Sequence, residues 1–339
     1  MENPKRADPD IKDKQPSGSN VLADQNNNEI ITFQHELRDI FSNYSKNFNV
    51  VHINAQSIPK HYLSFLATFV NLHNVDAVLV SETFLKQSMN SKAGDIPGYN
   101  LIRNDRVGKG CGGVAIYLRK ELKYKHVAKS LSYYTSSAEY IFIEVYHNKT
   151  KILLGVFYSP NSTINYFSTL EDLFKKYRSD YKYVNILGDF NTDILKANRR
   201  VDRLFSIIKN HSLYLPPLGP THFSPGTKAS ALDLIIVSEK DIVAKHGQLG
   251  SGFSYHDMIY VSNKIKPWRR RPKLNEEPIW QKVDAEAALS EQRRALSIYK
   301  QSERVDDDLM KYRNGRKSIE KLEKEFQREK SKIQKSPKK

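Results

Sequence analysis

The chain has 339 residues, of which 39% are hydrophobic, with a formal net charge of +16 and one cysteine. A lone cysteine excludes an internal disulfide framework, and no apolar run reaches the ~18 residues that a membrane span requires. We therefore expect an intracellular protein with no membrane partner, whose excess of basic residues favours binding to a polyanion.

The N-terminal segment, residues 1–46, differs in composition from the rest of the chain. Residues 1–29 are rich in Asn, Asp, Lys, Pro and Ser and carry few apolar side chains, which is typical of disorder. Within residues 30–44, apolar side chains recur at near-helical spacing. That pattern indicates either a short amphipathic helix leading into the next domain or a plain linker.

Residues 47–266 carry a mixture of strand and helix patterns. Runs rich in β-branched and aromatic residues predict strands, and apolar residues spaced three and four apart predict helices. Strand pairs with single helices between them indicate an α/β fold with mixed sheets covered by helices. Cys111, just before one apolar run, is expected to be buried as a small apolar side chain. The predicted strands include Tyr99–Asn104, Val114–Leu118, Tyr140–Tyr146 and Ile152–Phe157, and the predicted helices are Tyr62–Leu72, Tyr166–Tyr177 and Arg200–Lys209.

One strand-like run, Tyr183–Leu187, ends in Gly188-Asp189-Phe190-Asn191. Because side chains alternate along a strand, Asp189 and Asn191 should point to the same face. A carboxylate that takes a proton from water, beside an amide that orients the water, suits phosphodiester hydrolysis near a metal ion. An ordinary turn is the alternative, since Asp and Asn both favour turns.

Polar side chains of related kinds stand at the ends of other apolar runs. An acid also lies inside the apolar run 232–238, where a charge is costly unless another group pairs with it. We expect this residue, Asp233, to pair with His256. Together these positions indicate a hydrolytic site more specifically than any one of them does. The residues at the other strand ends are Asn54, Glu82, Tyr158 and Asn161.

In order and spacing, these residues resemble the endonuclease/exonuclease/phosphatase family, which includes apurinic endonucleases and DNase I-like nucleases. Three phrases are most similar to the endonuclease domain of jockey-like non-LTR retrotransposon polyproteins: Asn54-Ala55-Gln56-Ser57, Ser81-Glu82-Thr83-Phe84-Leu85 and Pro220-Thr221-His222. The resemblance covers residues 47–266. It implies a four-layer helix-sheet-sheet-helix sandwich of the DNase I type.

The cofactor expected at this site is Mg²⁺, with Mn²⁺ as a substitute. Mg²⁺ in proteins is held by one or two carboxylates together with waters and substrate phosphate oxygens, so Glu82 is the expected ligand. Asn54 is expected to assist the ion or to position the phosphate. Asp189 is expected to be the general base or to orient the attacking water, with Asn191 beside it.

The remaining roles concern charge stabilisation and substrate contacts. If Asp233 is buried beside His256, the carboxylate favours the imidazolium, whose positive charge stabilises the transition state. The resemblance implies that a phenol and an amide contact the phosphate and that two hydroxyl groups lie near the scissile bond. The residues at these positions are Tyr158, Asn161, Thr221 and Ser254.

The chain departs from the family pattern immediately before this histidine. The family usually has Ser-Asp-His there, whereas this sequence reads Ser254-Tyr255-His256-Asp257. Neighbouring strand residues face opposite sides, so Asp257 cannot take the place of the missing acid. This departure leaves two questions open: whether a second metal site is present and whether catalysis is fully efficient. The other positions favour an active enzyme.

The C-terminal segment, residues 267–339, is predicted to be a basic, partly helical connector or tail. Residues 264–339 hold 23 Lys and Arg against 13 Asp and Glu, a net of +10. The run 268–273 suits phosphate contacts by Arg269, Arg270 and Arg271, or nuclear import, or is a solvated linker. Apolar residues between 309 and 333 predict an amphipathic helix that docks elsewhere. The segment resembles the connector of retrotransposon polyproteins, but no polymerase signature follows it.

The leading functional prediction is a divalent-metal-dependent endonuclease that nicks DNA, derived from a retrotransposon and located in the nucleus. Its partner is DNA, and the tail is expected to bind nucleic acid or a partner helix. Two alternatives stay open: another phosphoesterase of the same fold, acting on a lipid or inositol phosphate, or a catalytically weak relic that binds nucleic acid.

Overall fold

The computed structural model describes residues 38–69, 74–90, 94–147, 150–265, 291–292, 294–299 and 306–335. The sequence predictions for residues 1–37, and those for Arg269, Arg270 and Arg271, lie outside these ranges.

Within the described ranges, the chain forms eleven strands and six α-helices. The strands are β1 (Phe48–Asn54), β2 (Ala77–Ser81), β3 (Tyr99–Asn104), β4 (Val114–Arg119), β5 (Lys123–Lys129), β6 (Glu139–His147), β7 (Thr150–Tyr158), β8 (Tyr183–Asp189), β9 (Asp233–Val237), β10 (Val243–Gly250) and β11 (Asp257–Asn263). The α-helices are α1 (38–43), α2 (Tyr62–Phe69), α3 (Phe167–Tyr177), α4 (Arg199–Asn210), α5 (291–299, with 293 not described) and α6 (Asp306–Lys335).

The strands form two mixed sheets. The six-stranded sheet has the order β10-β11-β1-β2-β4-β3, in which β1 and β2 are parallel and the other neighbours antiparallel. The five-stranded sheet has the order β5-β6-β7-β8-β9, in which β7 and β8 are parallel. Parallel neighbours need a crossover. Helix α2 lies in the β1–β2 crossover, and α3 lies in the β7–β8 crossover.

The two sheets pack face to face over a shared apolar core. Val50 of the first sheet and Leu154 of the second belong to the same buried cluster. Phe65 of α2 packs on the outer face of the six-stranded sheet, and Leu170 of α3 and Leu204 of α4 pack on the outer face of the five-stranded sheet. The layers therefore run helix, sheet, sheet, helix, which confirms the predicted α/β sandwich.

Cys111 corrects one expectation, because its side chain is exposed rather than buried. It lies in the loop before β4, in the left-handed region with a φ of 70°. Gly112 and Gly113 follow, each with a φ of 84°. Burial begins at Gly112 and the strand at Val114, so the glycines belong to the loop rather than to the strand.

Helices α5 and α6 dock on the outside of the sandwich. Leu296 and Tyr299 of α5 form a buried cluster with Leu309 and Tyr312 of α6, and Tyr255 packs against that cluster. The amphipathic tail helix thus docks on its own chain. No helix within the described ranges is long and apolar enough to cross a membrane.

Candidate active site

Polar side chains from both sheets meet where the parallel strands end. Asn54 ends β1, next to the end of β2. Tyr158 at the end of β7 is paired with Asp189 at the end of β8, which is in turn paired with Asp233 at the start of β9. Strand register alone therefore places Tyr158, Asp189 and Asp233 side by side. The packing of the two sheets brings Asn54 next to them.

Asn54 joins the carboxylates of the two sheets. Its amide nitrogen donates to Glu82 Oε1 at 3.0 Å and to Asp189 Oδ2 at 2.9 Å. The backbone N–H of Gln56 donates to Asn54 Oδ1 at 3.1 Å, which fixes the orientation of the amide. The Tyr158 hydroxyl also donates to Glu82 Oε1, at 2.9 Å. Glu82 and Asp189 are thus held by donors that come from different strands.

Asp233 and His256 form a second, fully buried group. His256 Nδ1 lies 2.8 Å from Asp233 Oδ2. The Thr221 hydroxyl donates to the same oxygen at 2.8 Å, while it accepts hydrogen bonds from the backbone N–H groups of Leu232 and Asp233. The predicted pairing of Asp233 with His256 is present. Thr221 lies at the site, but its hydroxyl hydrogen is directed at the carboxylate.

The surroundings raise the pKa values of Asp189, His256 and Tyr158, each for a different reason. Burial and the charges of Asp233 and Glu82 raise the pKa of Asp189 to about 7, although His256 opposes the shift. Burial alone would lower the pKa of His256, but the Asp233 carboxylate raises it to about 9. Burial and the Glu82 charge raise the pKa of the Tyr158 phenol well above its usual value. Near neutral pH the site therefore holds an imidazolium, a phenol that donates, and a carboxyl group poised to exchange a proton.

Two site residues have strained backbones. Glu82 has a φ of 51° and Asn191 has a φ of 44°, in the left-handed region that non-glycine residues avoid. Such conformations cost about 1–3 kcal/mol each and persist where the surroundings impose them. The Asn191 N–H donates to Asp189 Oδ1 at 3.0 Å, and its side-chain amide donates to the carbonyl oxygen of Ser159 at 2.6 Å. Asn191 thus orients the Asp189 carboxylate, and both Glu82 and Asn191 remain partly exposed at the mouth of the site.

Some predicted residues have other partners. Asn161 is exposed, and its side-chain oxygen accepts from Thr163 and Ile164 within its own loop. The buried Ser254 hydroxyl donates to the carbonyl oxygen of Asn54 at 2.7 Å, so it ties the histidine loop to β1. Phosphate contacts by Asn161 and Ser254 stay predictions.

Residues 255 and 257 flank His256 in the sequence. Tyr255 packs against the tail helices. Asp257 accepts from Gln248 at 3.1 Å. As predicted from strand alternation, Asp257 does not replace the missing acid.

Sequence reasoning assigned no role to three further residues around the site. Buried His52 places Nδ1 3.6 Å from Asp233 Oδ1 and Nε2 3.1 Å from the Ser81 hydroxyl. The ring of His222 lies 4.4 Å from that of His256. The guanidinium of Arg106 lies 5.8 Å from the Tyr158 ring. Two of them had a sequence signal: His52 shares a strand face with Asn54 two residues on, and His222 belongs to the phrase Pro220-Thr221-His222 that carries the family resemblance.

Residues 51–262 match the sequence family described as the endonuclease/exonuclease/phosphatase family. The match spans more than half of the chain and contains every buried residue of the site. The chain belongs to this family.

Solved structures agree with the family. The endonuclease domain of TRAS1, a telomere-specific non-LTR retrotransposon, is similar with a TM-score of 0.52 and 17% identity, over 64% of this chain and 99% of that one. The AP endonuclease LMAP from Leishmania major is similar with a TM-score of 0.55 and 13% identity, over 65% of this chain and 88% of that one. At such identities the likeness shows the fold alone. No curated protein matches this sequence.

The residues present suit a divalent cation, which the family implies. Asp189, Asp233 and His256 each bring one ligand atom within 4.8 Å of the others. His256 Nδ1 already contacts Asp233. The metal-ligating atoms that remain around the mouth of the site are carboxylate oxygens, which hard cations prefer. Burial is the main cause of the raised pKa of Asp189, and the charges of Asp233 and Glu82 add to it, so a cation at Glu82 would favour the ionised Asp189 carboxylate. Asn54 presents its nitrogen to the carboxylates, so metal binding through its oxygen stays a prediction.

Proposed function

We propose that this chain is a divalent-metal-dependent endonuclease that nicks DNA by hydrolysing a phosphodiester bond. The observation that carries the proposal is the cluster in which buried Asp189 and partly exposed Glu82 share the Asn54 amide, beside the Asp233–His256 pair. A proton acceptor, a fixed positive charge and a carboxylate at the mouth are what phosphodiester hydrolysis requires.

Each residue has a separable task in this reaction. Asp189 accepts a proton from the attacking water, since its pKa of about 7 lies near the working pH. Asn191 holds the carboxylate of Asp189 through its backbone N–H. His256, held charged by Asp233, stabilises the negative charge of the transition state. Tyr158 stays protonated and positions Glu82.

Glu82, assisted by Asn54, is the residue proposed to hold Mg²⁺ or Mn²⁺, which would supply Lewis-acid polarisation of a phosphoryl oxygen when bound. A single carboxylate fits Mg²⁺, which retains waters and takes further oxygens from substrate phosphate.

DNA is favoured as substrate by charge. The chain carries +16, and +10 of this charge belongs to residues 264–339, so a phosphate backbone is a natural partner for the tail. The TRAS1 endonuclease domain, which shares the fold, comes from a retrotransposon. A retrotransposon origin and a nuclear location belong to the same proposal. The location can be checked by imaging a tagged chain with alanine at 269–271, which should lose nuclear enrichment.

Conversion of supercoiled plasmid to open circles tests the function. Purified protein should nick with Mg²⁺ or Mn²⁺ and stop with EDTA. Asp189→Ala, Glu82→Ala and His256→Ala should each lower the rate by about 10² or more. Glu239→Ala, which removes an exposed carboxylate after β9, is the matched control and should nick normally.

Two outcomes would count against the proposal. Nicking that survives all three substitutions would mean that a contaminant or another site acts. Rapid release of phosphate from an inositol or lipid phosphate without nicking would instead support a phosphatase of the same fold.

A further inference from the structure

Tyr255 is the point where the tail helices contact the loop that carries His256. The Tyr255 ring centroid lies 6.4 Å from that of Tyr299 on α5 and 5.8 Å from that of Tyr312 on α6, both in edge-on geometry. Tyr299 and Tyr312 are each 1% exposed, and the Tyr312 hydroxyl donates to the carbonyl oxygen of Phe253 at 3.4 Å. The tail helices therefore contact both the Tyr255 ring and the main chain at Phe253.

The docked helices are also closely packed on each other and on α2. The Ser64 hydroxyl of α2 donates to Gln292 Oε1 of α5 at 3.3 Å. A Cβ at Gly315 of α6 would lie 3.4 Å from the Cα of Gln292, so the backbones of the two tail helices come close together at this glycine. These contacts make α5 and α6 one packed unit rather than two independent helices.

A short chain of bonds leads from Tyr255 into the catalytic cluster. The Tyr255 N–H donates to Gln56 Oε1 at 3.0 Å, and the Gln56 N–H donates to Asn54 Oδ1 at 3.1 Å. Gln56 itself has a φ of 46°, a conformation that needs support from its surroundings. On the other side, Tyr255 is covalently joined to His256. The main chain at this aromatic residue is thus linked to two elements of the site, to His256 directly and to the Asn54 amide through Gln56.

We propose that Tyr255 is a positioning residue, through which the docked helices α5 and α6 hold His256 and Asn54 in their working arrangement. The tail is then part of the active enzyme and not only a connector. This role rests on the proposed nuclease function. A misplacement of a reacting group by about 1 Å can cost on the order of 10²-fold in rate. Loss of the anchor should therefore act on turnover more than on substrate binding.

Three substitutions in the full-length chain test this role. Tyr255→Ala removes the ring, Tyr312→Ala removes its tail partner without altering the catalytic domain, and Tyr255→Phe keeps the ring. The two alanine variants should lower kcat for plasmid nicking about tenfold or more and change KM less than about threefold. Tyr255→Phe should retain the activity. Phe205→Ala, which truncates an aromatic ring that is 44% exposed on α4, is the control.

Amide hydrogen exchange separates this role from the nuclease function itself. The N–H groups of Gln56, Tyr255 and His256 all donate to side chains of this network. Their exchange should accelerate at least about tenfold in Tyr312→Ala, whether or not the protein nicks DNA. Unchanged exchange in that variant, or an unchanged kcat in both alanine variants of an active enzyme, would overturn the positioning role. A protein that shows the exchange effect but never nicks would refute only the nuclease proposal.

Discussion

Replacing Asp233 with Asn tests the electrostatic basis of the site. Asp233 and His256 are both buried, and their side chains meet at 2.8 Å. Burial alone would lower the pKa of His256, yet the carboxylate raises it from 6.5 to about 9. The difference from 6.5 corresponds to about 3 kcal/mol in favour of the imidazolium. The neighbouring carboxylate therefore outweighs the desolvation of the ring.

In Asp233→Asn the attraction is lost while the burial remains. The pKa of His256 should then fall below 6.5, and the ring should be neutral at about pH 7.5. We expect kcat to fall about 10²-fold there, because a positive charge no longer faces the transition state. The raised pKa also means that the pair stabilises the fold fully below pH 6.5 and loses this contribution as pH rises through about 9. The stability of Asp233→Asn should not show this decrease as pH rises.

Two measurements check these expectations. An NMR titration of the His256 ring proton gives its pKa without requiring activity, and a pH series of nicking rates gives the alkaline limb. Asp241→Asn removes an exposed carboxylate in the turn after β9 and is the matched control. A His256 that titrates near 6.5 in the unaltered protein, or keeps its high pKa in Asp233→Asn, would refute the reasoning.

Two further predictions concern the tail and the pH dependence of folding. Lys311, Arg313 and Lys317 are three exposed cations of α6. Replacing all three with alanine should flatten the slope of log DNA affinity against log salt by up to about 2.7, measured by anisotropy titrations. A slope identical to that of the unaltered protein would mean that α6 does not contact DNA. Burial and the charge of Arg316 lower the pKa of His61 to about 3, so stability should fall as pH drops below 6.5. Urea unfolding should show about 2 kcal/mol of loss between pH 7 and 5 that His61→Gln lacks, and equal losses in both proteins would contradict this.

The fold was predictable where strands carry runs of β-branched and aromatic residues and where helices are amphipathic. The strands β3, β4, β6 and β7 and the helices α3 and α4 lie within about two residues of their predicted bounds. By contrast, the sequence pattern did not predict the strands β5 and β10. Both are edge strands whose residues are mostly exposed or half-buried, so their side chains carry little hydrophobic pattern. The four-layer arrangement came from the family resemblance, since local pattern does not encode how two sheets stack.

The site was predictable where it depends on strand ends. Asn54, Glu82, Asp189 and Asp233 all follow or begin strands, and strand order then brings them together. The hydrogen-bond partner of the Thr221 hydroxyl could not be predicted from strand ends. It depends on which carboxylate the fold brings within reach, here that of Asp233. The same holds for Ser254, whose hydroxyl meets the carbonyl oxygen of a residue 200 positions earlier.

The departure at Tyr255 gains a physical meaning from the docked tail. In sequence alone, the loss of the family's usual acid suggested a weakened metal site. In the structure, position 255 packs against the buried rings of Tyr299 and Tyr312, where an unpaired carboxylate would be costly to desolvate. An acid at this position and a docked tail are therefore hard to combine. The aromatic residue and the helices beyond the domain are best understood as one feature, in which the position next to His256 packs against the tail.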